Sequence, residues 1–241
     1  MSGDKTTIGA IAAIAACLAA FAHEAAGHGG ACLWLGGQIT QLTNVYFQCS
    51  IDNPLIPLGG PIGNLVAALA GFFAFVTVTR NAPHTRLLAF LMMAFSLFWF
   101  AGYLIYAMAL NDGDYIFALN GFYGSPDTLA RALLLVAGLA LYVGVARLVG
   151  YLARANDYGP GMMQTAWIAG AVSAIAATLF YDGTQMPAMQ QAFLEIGVAS
   201  FPLLLVRPGK TLDMLMPRSL EWIAAATLVF LVFAATLGRG I

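Results

Sequence analysis

Three ionisable residues, two histidines and one glutamate, lie close together in a strongly apolar stretch of the sequence. They are His23, Glu24 and His28. Ionisable side chains within an apolar helix are energetically costly unless they are paired or solvated, so each is a candidate for a functional site. Neutral imidazole and carboxylate groups at close spacing are typical ligands of zinc. The cluster therefore predicts a metal site, and the alternative is a polar contact that only fixes the packing of helices.

The two histidines are five residues apart, a spacing that a regular α-helix does not bring to one face. At 3.6 residues per turn, such residues point about 140° away from each other. A one-residue π-bulge, helped by Gly27, would bring His23 and His28 to one face and leave Glu24 free as a general base. Alternatively Glu24 and His28, which are four apart, bind the metal and His23 is not a ligand.

The elements that position this cluster are membrane helices, to judge from the composition of the chain. Hydrophobic residues make up 61% of the 241 positions and charged residues only 9%, whereas soluble domains have about 25% charged residues. We therefore expect one all-α integral membrane domain over residues 1–241, a polytopic transmembrane helix bundle in the lipid bilayer. The net charge of −1 gives no indication of nucleic-acid binding.

Seven apolar segments can be drawn, and they predict about seven spans, with six as the alternative because the sixth segment is the weakest. The segments are approximately 7–35, 58–79, 87–110, 128–152, 162–181, 187–206 and 219–237. Residues 38–49 are rich in Thr, Val, Tyr and Phe and predict a short strand-like hairpin after the first helix. We interpret Glu195 as an interfacial residue near a helix start, and we expect no disulfide framework from Cys17, Cys32 and Cys49.

The basic residues predict how the bundle is oriented. With the N-terminus in the cytoplasm, eight of the ten Lys and Arg residues fall on the cytoplasmic side, as the positive-inside tendency requires. We therefore expect a bacterial inner membrane protein with a cytoplasmic N-terminus. The eight residues are Lys5, Arg80, Arg86, Arg147, Arg154, Arg207, Lys210 and Arg218, and the other two are Arg131 and Arg239.

The first half of the chain resembles the site-2-protease type of intramembrane zinc metalloproteases. That family has His-Glu-x-x-His in an early helix, Gly-Pro-x-x-Asn at the opening of a later helix, and then an Asp-Gly motif. The counterparts here are residues 23–28, with one inserted residue, Gly60-Pro61-Ile62-Gly63-Asn64, and Asp112-Gly113-Asp114. The resemblance makes residues 7–125 a metalloprotease-like core and residues 126–241 additional transmembrane helices.

The resemblance also implies roles for individual residues. His23, His28 and Asp114 would bind one zinc ion, and Glu24 would be the catalytic general base of a site-2-type zinc metalloendopeptidase. The sites of this family generally open toward the cytoplasm, whereas the basic residues place Asp114 on the outer side of the membrane.

Further residues would support the ligands or the substrate. Asp112 and Asp182 are reserve candidates for the third metal ligand, since each is followed by glycine. Asn64 would help to hold the substrate, which would be an unwound transmembrane segment of another protein. Residues 38–49 could bind that segment by edge pairing.

Three functions follow as hypotheses. The first is a zinc intramembrane protease that cleaves transmembrane segments. The second is a proteolytically inactive, metal-holding or structural subunit that docks to partner subunits of a membrane complex, and metal coordination by Glu24 would favour it. The third is a transporter or channel component, which a continuous wet path past Glu195 and Asp182 would favour.

Overall fold

The computed structural model describes residues 3–209 and 214–241, and within them eight helices and one two-stranded hairpin follow one another. The helical class and the hairpin after the first helix are confirmed. The elements are α1 (Lys5–Trp34), β1 (Ile39–Leu42), β2 (Phe47–Cys49), α2 (Leu55–Thr77), α3 (Pro83–Leu110), α4 (Asp114–Tyr123), α5 (Thr128–Ala155), α6 (Pro160–Thr178), α7 (Gln185–Ala192) and α8 (Leu220–Phe233).

Three of the helices contain or continue into irregular helix. The first, α1, is π-helical over Ala22–Gly29. Helix α7 continues as a π-helix over Phe193–Val198 and then as a 3₁₀-helix over Phe201–Leu205. Helix α8 continues as a π-helix over Ala234–Gly238.

Five helices among the described residues are long and apolar enough to cross a membrane, rather than the seven that the sequence predicts. They are Lys5–Trp34, Leu55–Thr77, Pro83–Leu110, Thr128–Ala155 and Leu220–Gly238. The fifth predicted segment does form a helix, α6, but Pro160, Gln164 and several Gly, Ser and Thr residues lower its mean hydropathy. The sixth is divided between α7 and the irregular helix that follows it, where Gln190, Gln191 and Glu195 interrupt the apolar pattern.

Helix α1 lies at the centre of the bundle, where it packs against α3, α6 and α8. Its inward face consists largely of alanine and isoleucine, and Ile11, Ala12 and Ala15 are fully buried. Small side chains let helix backbones approach closely, which is how helices associate in an apolar medium.

The closest approach joins α2 to the π-helical part of α1. A Cβ atom on Gly27 would overlap the Gly59 carbonyl oxygen, and a Cβ atom on Gly59 would overlap the Gly27 carbonyl oxygen. Only glycine at both positions allows this backbone contact, which brings Gly60 and Asn64 of α2 to the histidines.

A disulfide between Cys32 and Cys49 joins the end of α1 to β2, with the two Cα atoms 6.0 Å apart. This finding corrects the expectation that the cysteines form no disulfide framework. The hairpin folds back antiparallel, pairing Ile39 with Cys49 and Leu42 with Phe47, so residues that are 17 positions apart in sequence meet in space. Cys17 is a free, buried thiol.

At the two ends of the bundle, backbone hydrogen bonds join segments that are distant in sequence. At one end, the Asp4 N–H donates to the Met216 carbonyl, 2.9 Å apart, and the Met214 N–H donates to the Asp157 carbonyl, 2.8 Å apart. At the other end, the last residue, Ile241, exchanges two backbone hydrogen bonds with Leu42 of β1. The hairpin and the C-terminus therefore lie together, away from the N-terminus.

Candidate metal centre

His23 and His28 point to the same side of α1 because residues Ala22–Gly29 are π-helical. In a π-helix the backbone hydrogen bond joins residues five apart, so such residues lie one turn from each other. The two imidazole rings are 4.9 Å apart between centroids and nearly perpendicular, at 83°. Of the two arrangements that the spacing left open, the structure adopts the π-helical one.

Asp114, the first residue of α4, brings a carboxylate to both imidazoles. Its Oδ2 atom lies 3.1 Å from His23 Nε2 and 3.3 Å from His28 Nε2. The turn before α4 depends on Gly113, whose φ of +89° is a conformation that residues with side chains rarely adopt. Burial opposes ionisation of Asp114, but the two neighbouring imidazoles hold the pKa of its carboxyl well below the usual value.

These three side chains could hold a metal ion, since their nearest ligand atoms all lie within 4.8 Å of one another. Zinc binds nitrogen and oxygen at about 2.0–2.1 Å, which places neighbouring ligands of a tetrahedron about 3.3 Å apart. The observed separations of 3.1 and 3.3 Å match that spacing. The His28 Nδ1–H group donates to the Ile56 carbonyl, 2.8 Å away, which leaves the Nε2 lone pair of His28 free for a metal.

Gly60 keeps the space between the two imidazoles open. A Cβ atom on this residue would lie 2.6 Å from His23 Nε2 and would overlap His28 Nε2. The Nε2 atoms of both histidines, which could bind an ion, thus border this space. A side chain at position 60 would therefore block the space between the histidines, which explains the glycine of the Gly-Pro element. The sequence alone did not reveal this steric requirement.

Asn64 supports His23 from the side opposite the cavity. Its Nδ2 atom donates to His23 Nδ1 over 2.9 Å, and its Oδ1 atom has no hydrogen-bond partner within the described part of the chain. Metal binding through Nε2 moves the ring hydrogen to Nδ1, and a half-turn of the amide would then offer Oδ1 as the acceptor. Asn64 is fully buried, so its expected contact with substrate stays a prediction.

The ligands line a cavity of about 600 Å³ that also contains Glu24. Glu24 is 3% exposed and lies outside the three-residue ligand group. Strand β2, the beginning of α4 and the last turns of α3 form the other walls. A carboxylate, a potential metal position and a strand thus face one cavity.

Glu195 also lines this cavity, which corrects our interpretation of it as an interfacial residue. The π-helical turn Phe193–Val198 buries its side chain to 5% exposure, where it accepts a hydrogen bond of 2.8 Å from Gln191 Nε2. The sequence did contain a signal, since an acid within an apolar segment is a candidate for a functional site by default.

The two reserve acids lie outside the ligand group. Asp112 lines the cavity, and its Oδ1 atom accepts a 2.8 Å hydrogen bond from the Gly113 N–H. Asp182 lies at the surface in an ion pair of 3.0 Å with Arg239, where both side chains are largely exposed. Of the three candidate acids, only Asp114 meets both histidines in the described structure.

No family model matches this chain, and neither characterised proteins nor solved structures provide a match. Its function must therefore be inferred from the geometry of the site itself.

Proposed function

We propose that the chain is an intramembrane zinc metalloendopeptidase of the site-2 type that cleaves transmembrane segments of other proteins. The observation that carries the proposal is the convergence of His23, His28 and Asp114 in a cavity where Glu24 remains outside the ligand group. Three protein ligands with a fourth position left for water or substrate distinguish catalytic zinc sites from structural ones.

Location in a membrane is supported by the surface of the bundle as well as by its five apolar helices. Helix α5 exposes a series of large apolar side chains, among them Leu129, Leu133 and Val136, each more than 60% exposed. A continuous apolar surface of this kind suits contact with lipid.

The proposed setting is the bacterial inner membrane with the N-terminus in the cytoplasm. The distribution of basic residues supports this orientation, although Lys210 lies outside the described residues. The Cys32–Cys49 disulfide lies beside the cavity, and disulfides persist in oxidising compartments. Both observations support a cavity mouth on the outer side.

Zinc bound by the three ligands would supply Lewis acidity to the scissile carbonyl and to the attacking water. Glu24 would accept a proton from the water as its oxygen bonds to the carbonyl carbon, and would deliver it to the leaving amine as the C–N bond breaks. Asn64 would keep the ring of His23 in its ligating orientation. Residues of β2 would hold the unwound substrate by backbone pairing.

The decisive experiment compares Glu24→Gln with the wild-type protein in proteoliposomes that contain a model transmembrane peptide. The variant should retain one zinc per chain by elemental analysis and should yield no cleavage products by mass spectrometry. Glu221→Gln, at an exposed position at the start of α8, is the control and should cleave normally. Cleavage by Glu24→Gln at the wild-type rate would exclude Glu24 as the general base.

The alternative is a metal-holding subunit without proteolytic activity, for which the exposed apolar face of α5 offers a docking surface. Zinc without cleavage by the wild-type protein, together with loss of zinc in Glu24→Gln, would favour it. The transport hypothesis expected a path past both Glu195 and Asp182. Glu195 lines the cavity, whereas Asp182 lies in the surface ion pair with Arg239.

A further inference from the structure

We propose that a second, apolar pocket beside the metal centre binds one large apolar side chain of the substrate, next to the bond that is cleaved. This inference rests on the proposed protease function and specifies the substrate. We call this feature the side pocket. It lies between α3, α5 and the π-helical turn after α7, and its lining includes Gly102, Ile105, Tyr142, Leu194, Val198 and Ala199.

The size and chemistry of the side pocket suit a single apolar side chain. Its volume is about 190 Å³, and a dry apolar cavity of about 150 Å³ is known to hold one benzene molecule. A phenylalanine or leucine side chain therefore fits, whereas a whole helix, about 10 Å across, does not. The lining is almost entirely apolar, so a charged side chain would lose its hydration there without compensation.

The side pocket lies directly behind the metal centre. Trp99 lines it and stacks on the ring of His23, with 4.4 Å between ring centroids and 12° between planes. The pocket is thus one aromatic ring away from a metal ligand. Consecutive Cα atoms are about 3.8 Å apart. A residue adjacent to the cleaved bond can therefore place its side chain in the side pocket while the bond itself lies at the metal centre.

The side pocket shares part of its lining with the larger cavity that contains His23, His28 and Asp114, which we call the metal cavity. Tyr103, Tyr106, Gln191 and Glu195 line both spaces, so at most one layer of side chains separates them. The same π-helical turn that contributes Glu195 to the metal cavity contributes leucine and valine to the side pocket. This continuity favours a substrate side chain over an independent lipid as the occupant.

The rim of the side pocket faces the outside of the bundle. Leu194 and Val198 are 38% and 46% exposed, on a surface that the proposed membrane location places in lipid. A transmembrane substrate that reaches the metal cavity from the lipid would pass this rim with its apolar side chains. The pocket would therefore select a large apolar residue at the cleavage position.

A test of selectivity fills the pocket from its rim. Val198→Trp should reduce cleavage of a model transmembrane peptide with phenylalanine beside the cleaved bond at least tenfold more than it reduces cleavage of the matching alanine peptide. One methylene group of a substrate in a hydrophobic pocket typically changes discrimination about 10- to 200-fold, and phenylalanine differs from alanine by more than that. The matched control is Val172→Trp, since Val172 is 57% exposed on α6 and does not line the pocket.

Photocrosslinking separates this inference from the proposed activity. A peptide with photoreactive leucine at each central position in turn should label the side pocket of zinc-loaded Glu24→Gln protein, and adding Val198→Trp should prevent the labelling. Cleavage by the wild-type protein with neither side-chain preference nor labelling would overturn the pocket and leave the protease standing. Labelling without wild-type cleavage would overturn the protease only. If a photoreactive fatty acid labels Val198 and the peptide does not reduce that labelling, the side pocket is a lipid site instead.

Discussion

Replacing Gly60 with alanine should weaken metal binding about 100-fold, because the added methyl group would occupy the space between the two histidine rings. The new Cβ atom would lie 2.6 Å from His23 Nε2, and an ordinary contact requires at least 3.4 Å. The ring of His23 alone would therefore have to retreat by 0.8 Å, and His28 would have to move as well. Ligand distances in metal sites vary by only about 0.2 Å.

The surroundings leave the rings little room to retreat. Trp99 stacks on His23, and the buried side chain of Asn64 bonds to its Nδ1 atom. Overpacking of this kind costs about 1–3 kcal/mol, and a cost of about 2.7 kcal/mol borne by the metal-bound state corresponds to about a 100-fold loss of affinity.

The assay is zinc content by elemental analysis, together with competition against a chelator of known affinity, on detergent-purified protein of verified helicity. Gly30→Ala is the matched control, since a Cβ atom at Gly30 meets nothing within 4 Å. Both substitutions add a methyl group to a helix, which by itself favours helix formation by about 0.8–1.0 kcal/mol. If Gly60→Ala binds one zinc per chain as tightly as Gly30→Ala, the ion does not lie between the imidazoles.

Two further predictions concern the support of the site. Asn64→Leu should weaken zinc affinity about 10- to 100-fold in the chelator assay, because it removes the partner of a ligating imidazole; Asn44→Leu, at another buried asparagine, should leave affinity unchanged. Alkylation of the denatured, unreduced protein should modify one cysteine, Cys17, and reduction should make Cys32 and Cys49 reactive as well. Three alkylated cysteines before reduction would contradict the disulfide.

Several features of the fold and the site could be predicted from the sequence because they depend on composition or on neighbouring residues. The apolar composition predicts a helical chain with membrane-length segments, and the run of Thr, Val, Tyr and Phe after the first helix predicts the hairpin. The histidine cluster in an apolar helix identifies the candidate metal position. Asp114 is preferred to Asp112 and Asp182 because the Gly113-Asp114-Tyr115 triplet opens the next apolar stretch, and the structure brings Asp114 to both rings.

Other features depend on contacts between segments that are distant in sequence. Gln190, Gln191 and Glu195 indicated a weak sixth segment, but only the fold shows that Glu195 turns inward to line the metal cavity. The scattered cysteines gave no reason to expect a bond, since it is the antiparallel return of the hairpin that brings Cys32 to Cys49.

Tertiary structure determines which of two possible backbone registers the first helix adopts around its histidines. The amino acids alone allow a regular helix that pairs Glu24 with His28, or a π-helical turn that pairs His23 with His28. In the structure, α2 contacts the π-helical turn through Gly27 and Gly59, and both imidazoles meet a carboxylate from α4. A sequence determines which side chains can bind a metal, but neighbouring helices supply the close packing and the opposite charge that stabilise one backbone register over the other.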